Sequence, residues 1–148
     1  MDDKQALYTE IKPDMQAVSS SLFDLSKQLL HTQGDFLPHA AVLTAESKLE
    51  LVGAKGDNEL TTALEILPLL HGGLRGLAKQ KILSAIGIAE SVIITRPGQS
   101  ATKAIKVLFE HRRGITVALY MPYKRKLLKG YVYDPIFSIL ADPEVNAW

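Results

Sequence analysis

The segment A-I-K-V-L-F-E-H-R-R-G-I-T-V-A-L-Y-M-P-Y, residues 104–123, decides the fold. Two β-rich runs joined by a short Gly-containing turn form the pattern of an antiparallel hairpin, with Gly114 taking a backbone conformation that is costly for other residues. By the period of two, Ile105, Val107, Phe109 and His111 share one face, while Lys106, Leu108, Glu110 and Arg112 share the other. On the second arm Ile115, Val117, Leu119 and Met121 form the apolar set, and Thr116, Ala118 and Tyr120 the milder one. Such alternation implies a sheet packed on one side and partly wet on the other.

Outward from this hairpin, residues 82–95 read as a further strand, and Arg96-Pro97-Gly98-Gln99-Ser100 as a loop by composition. After Tyr123 come a basic turn, Lys124 to Lys129, and a short edge strand over 130–135. The end, 136–148, reads as a helical turn with a partly docked tail. On the N-terminal side, Pro13 and Asp14 mark a helix entry. Met15, Val18, Leu22, Leu25 and Leu29 then recur at helical spacing until Gln33-Gly34, with the serines at 19–21 on the outward or flanking side. Residues 1–10 form either a short preceding helix or a loose arm. Residues 40–44 and 48–54 make a first hairpin. Capping residues at 56–59 introduce a second helical stretch, from Leu60 to about Lys81, expected to bend at Ile66 to Pro68 and go on as a second helical piece, because an internal proline costs about 3 kcal/mol.

The element order is helix, hairpin, helix, strands. It predicts an α+β fold with an antiparallel sheet of about five strands and two or three helices packed on one face. The 148 residues suit a single domain spanning 1–148, with 47% hydrophobic and 22% charged residues, an ordinary globular mix. The absence of cysteine excludes disulfides, thiolate metal sites and thiol nucleophiles. No basic leader and no apolar run of membrane-spanning length is visible, so the expectation is a cytoplasmic protein without membrane contact.

The net charge of +1 hides a split: residues 1–80 hold 7 Lys/Arg against 11 Asp/Glu, and residues 81–148 hold 10 against 5. Most of the basic excess lies between Lys103 and Lys129, where Glu110 is the sole acid. Such asymmetry suits either an anionic partner or the solubilising rim of a sheet.

Gly34-Asp35-Phe36-Leu37-Pro38 with Ala41-Val42-Leu43, then Ala85-Ile86-Gly87-Ile88, Glu110-His111-Arg112 after Ala104-Ile105, and Pro122-Tyr123-Lys124 resemble patches in a set of small uncharacterised bacterial proteins. The resemblance spans roughly residues 34–124 and implies a bacterial source and one compact domain. It brings no activity, cofactor or catalytic residue.

Glu110-His111-Arg112 is the most site-like triplet. A histidine held by a carboxylate suits proton transfer, but adjacent strand residues face opposite ways, so Glu110 cannot orient His111; Asp35 or His39 would have to approach from the first hairpin. His111 is thus either an acid/base candidate or a structural strand-end histidine. Histidines 31, 39, 71 and 111 show no ligand spacing, and no metal or other cofactor is expected. His71-Gly72-Gly73-Leu74-Arg75-Gly76 is explained by close helix packing rather than phosphate cradling.

Arg112, Arg113, Tyr120, Tyr123, Lys124, Arg125, Lys126 and Tyr131 form the candidate binding set. Tyrosines beside cations on a sheet can stack bases and hold phosphates, which would make the segment 112–133 a surface for RNA or single-stranded DNA. The leading expectation is a non-catalytic binding protein using its sheet surface or a strand edge to meet a protein partner or its own copy, as in a homodimer. Nucleic-acid binding and an enzyme working through His111 are the alternatives.

Overall fold

The hairpin exists as β4 (Thr102–His111) and β5 (Ile115–Lys126), closed by Gly114 at φ +91° with its N–H donating to the His111 carbonyl at 3.0 Å. The computed structural model describes residues 3–53 and 62–148. Around the hairpin stand α1 (Asp3–Gln33), β1 (His39–Thr44), β2 (Leu49–Val52), α2 (Ala63–Gln80), β3 (Leu83–Ile94), β6 (Gly130–Tyr133) and β7 (Phe137–Leu140). The order helix, hairpin, helix, strands therefore holds, and the class is α+β.

All pairings are antiparallel, in the order β2-β1-β3-β4-β5-β6, with β7 also on β5. The sheet thus has seven strands rather than about five. The difference lies at the C-terminus, where the expected helical turn is instead β7. Strands β6 and β7 follow one another along the same side of β5. Tyr133 pairs with Tyr123 and Phe137 with Tyr120, so three residues on the edge face two on β5. That extra residue is a bulge at Asp134-Pro135-Ile136. It moves the side chains of β7 to the faces opposite those expected from β6.

The two described helices lie on opposite faces, which corrects the expectation of one face. α1 packs through Ile11, Met15, Val18, Leu22, Phe23 and Leu30 against Ala41, Leu43, Ile105, Val107, Phe109 and their neighbours. α2 packs through Ile66, Leu70 and Leu74 against Ala40, Val42, Ile86 and Ile88 on the reverse side. All six residues of β1 are buried. A strand covered on both faces reads as an unbroken apolar run, and Ala40-Ala41-Val42-Leu43 is such a run, whereas the alternation in β4 reports only one greasy face.

Residues 3–10 belong to α1, neither a separate helix nor a loose arm, and Pro13 sits well inside it rather than in its first turn. Ser19 and Ser26 are buried, so the serines do not all flank the packed stripe. Ser26 tolerates burial because its hydroxyl donates to the Leu22 carbonyl at 2.7 Å. α2 is continuous through Pro68 rather than two pieces, and Leu64 at its start is exposed. The expected cap at 56–59 lies outside the described residues. Gly87 lets α1 approach β3, since a Cβ there would press on Val18 Cγ1 and come within 2.8 Å of Leu22 Cδ1.

Candidate functional site

Glu110 and His111 point to opposite faces, and the two faces use them in the same way. The buried Glu110 carboxylate accepts three backbone N–H groups from the tail: Glu144 at 3.1 Å and Val145 at 2.9 Å on Oε2, and Asn146 at 2.9 Å on Oε1. On the other face His111 Nδ1 accepts the Arg113 N–H at 3.1 Å, which places the ring proton on Nε2, the donor to Asp14 Oδ2 of α1 at 2.9 Å. The carboxylate partner is therefore Asp14, and neither Asp35 nor His39. Arg112 donates its backbone N–H to the Ser84 carbonyl at 2.9 Å, and the Arg113 guanidinium pairs with Glu10. Each member of the triplet ties β4 to a different part of the chain.

His39 occupies the other end of the α1 face. Its Nδ1 lies 3.0 Å from the Leu37 carbonyl and its Nε2 lies 3.2 Å from Ser26 Oγ. Burial holds its pKa below the ordinary 6.5, against the opposing pull of the Leu37 and Leu22 carbonyls. On the α2 face Glu90 and Lys106 are cross-strand neighbours, and Lys106 reaches Glu144 at 3.8 Å. Burial pushes the Glu90 carboxyl up, with Lys106 partly offsetting it.

The binding set divides. Arg112 and Arg113 lie at the β4–β5 turn, whereas Lys124, Arg125 and Lys126 lie at the far end of the 12-residue β5, about 30–36 Å away at the usual rise of about 3.3 Å per residue. Tyr120 faces the α2 side and stacks on Phe137 at 5.2 Å. Tyr123 and Tyr131 face the α1 side, 5.9 Å apart, with Arg125 over the Tyr131 ring at 5.8 Å. Tyr123, Lys124, Arg125 and Tyr131 do share one cavity of about 510 Å³, together with Lys103 and Gly34. Tyr123 is only 4% exposed, and the Tyr131 and Tyr133 rings pack against the core.

A larger groove, about 760 Å³, runs between the first turns of α1 (Leu7, Tyr8) and the β5–β7 edge (Val117, Ser138, Leu140). Sequence reasoning missed it because β7 read as helix. The alternation in Phe137-Ser138-Ile139-Leu140 was the available signal. Among the described residues no group of three or more His, Asp or Glu side chains could hold a metal ion, and no helix is long and apolar enough to cross a membrane. Compared with known proteins, the chain matches no family model, no curated protein and no solved structure.

Proposed function

We propose that this protein works by binding, and that it takes an extended segment of a partner protein along the outer side of β7. One observation carries this: β7 is an edge strand with no charge and no proline, and its Ile139 and Leu140 are 53% and 71% exposed. Edges left in that state are templates for another strand. Ala141 donates its N–H to the Thr116 carbonyl at 3.0 Å, so residues 137, 139 and 141 direct their backbone groups at β5. Alternation then turns the N–H and C=O of Ser138 and Leu140 outward. An added strand would find these hydrogen-bonding groups, with the groove beside Leu7 and Tyr8 open to its alternate side chains.

A catalytic role for His111 has less support, because both ring nitrogens are engaged and the ring lines neither of the cavities described above. The test is selection of displayed random peptides on the full chain, with Ser138→Pro as counter-target. That proline removes an outward donor while leaving the β5 ladder intact. Selected peptides should alternate apolar residues, slow exchange of the Leu140 amide and bind Ser138→Pro at least about tenfold more weakly. Absence of enrichment, or equal binding to Ser138→Pro, would refute the proposal. Protection of the same amide through dimerisation alone would make a second copy the occupant.

A further inference from the structure

The turn between β5 and β6 stands clear of the rest of the sheet. β4 begins at Thr102, opposite Lys124 in the register set by the Lys103–Tyr123 pair, and Lys124 and Arg125 still border Ala101 and Thr102, so it is residues 126–130 that overhang the neighbouring strand. At the tip sit Leu127 and Leu128, 92% and 100% exposed, the two most exposed large apolar side chains among the described residues. Leu128 also adopts φ +71°, a region that a branched side chain enters at steric cost. Around them stand Lys124, Arg125, Lys126 and Lys129, all exposed, and none forms an ion pair among the described residues. Lys103 adds to the same end. Of the described carboxylates there, Asp134 is paired with Arg96, and Asp35 accepts the Phe36 N–H at 2.8 Å.

We infer that this hairpin tip docks on an anionic membrane surface. Two leucines exposed at a projecting tip lose free energy in water and regain it at the headgroup–acyl boundary, while a ring of lysine and arginine stems reaches back to lipid phosphates. The same cations would attract nucleic acid, but of the rings that could stack bases Tyr123 is buried, Tyr131 and Tyr133 are half-buried with one side against the core, and Arg125 already lies over Tyr131, whereas the fully exposed groups are aliphatic. Charge selects the surface, and the leucines select lipid over a polynucleotide. The inference stands apart from the β7 proposal, because the tip lies beyond β6 and not on β7.

The test is co-sedimentation of the full chain with phosphatidylcholine vesicles, with and without about a third phosphatidylserine, at about 0.15 M salt. Binding should require phosphatidylserine and weaken steeply as salt rises. Leu127→Ser with Leu128→Gly should weaken it about tenfold or more, and the glycine suits the positive φ, so the fold is kept. Lys124→Ala with Lys126→Ala should weaken it comparably, and Lys79→Ala, on α2, should leave it unchanged. A Leu127→Trp probe in a Trp148→Phe background should shift its emission to the blue on phosphatidylserine vesicles. Indifference to the leucine changes, equal binding to pure phosphatidylcholine, or binding only to single-stranded oligonucleotides would overturn the inference.

Discussion

Glu110 holds Val145 against the sheet: the Val145 N–H donates to Glu110 Oε2 at 2.9 Å, and Val145 itself is fully buried beside Ile86 and Ile88. One carboxylate satisfies three consecutive backbone donors, of which burial would otherwise strand that of Val145. Arg75 of α2 adds a bond from its Nε to the Val145 carbonyl at 2.7 Å, so the tail joins α2 to β4. Glu110→Gln would turn an NH2 group toward backbone donors, at a cost of about 1–3 kcal/mol. Deleting residues 142–148 should cost a similar amount, and the two changes together little more than either alone. Urea midpoints of the four proteins check this; strictly additive losses would show that Glu110 and the tail act separately.

Gly87 sets how closely α1 lies on β3. An added methyl would meet Val18 Cγ1, on a β-branched side chain with one preferred rotamer in a helix, and Leu22 Cδ1 at 2.8 Å. Gly87→Ala should therefore destabilise by about 1–3 kcal/mol. Val18→Ala, itself destabilising, should recover part of that loss when combined with Gly87→Ala. Thermal melts of the two single variants and the double variant would reveal the coupling, and a double variant as unstable as the sum would deny the contact.

How much of this was legible in the chain depended on whether the deciding signal was local. Strands β3, β4 and β5 were legible because their apolar residues alternate and Gly114 marks the turn. The covering of both faces was not, because nothing in the alternation at Ile105 to His111 reveals what α2 does on the next two strands, at Ile86 and Val42. The three donors to Glu110 and the carboxylate partner of His111 come from residues 34 or more positions distant, which spacing cannot report. The basic segment read as one surface because its residues are neighbours in sequence. An extended strand separates such neighbours by its own length and sends alternate side chains to opposite faces, which parted Arg113 from Lys124 and Tyr120 from Tyr123.

His39 gives a pH dependence with a definite sign. Its folded pKa lies below 6.5 because burial disfavours the charged ring. Above that value both folded and unfolded rings are neutral, and the contribution to stability is fully present. As pH falls through about 6.5 the unfolded chain takes up a proton that the folded chain refuses, so stability declines. The decline stops once pH passes below the folded pKa. Stability measured in urea between about pH 8 and 5 should fall less steeply for His39→Gln than for the wild type; parallel curves would mean that the folded ring protonates as freely as an exposed one.

Gly72, Gly73 and Gly76 were expected to let α2 approach the sheet closely, and the structure corrects that. A Cβ at any of the three would meet nothing within 4 Å, and Gly72 and Gly73 are exposed. Glycine in a helix costs roughly 0.5–1 kcal/mol relative to alanine, mainly through the freedom it retains in the unfolded chain. Gly72→Ala and Gly73→Ala should each stabilise the protein by about that amount, and the pair should add, since neither methyl has a neighbour to disturb. Leu70 and Leu74 carry the packing of this turn and are buried at 1% and 0% exposure, so the surface changes leave the core contact intact. Denaturant midpoints of the two single variants and the double variant measure it; a loss of stability in either single variant would mean that the exposed side of α2 is covered by something that needs the missing side chains.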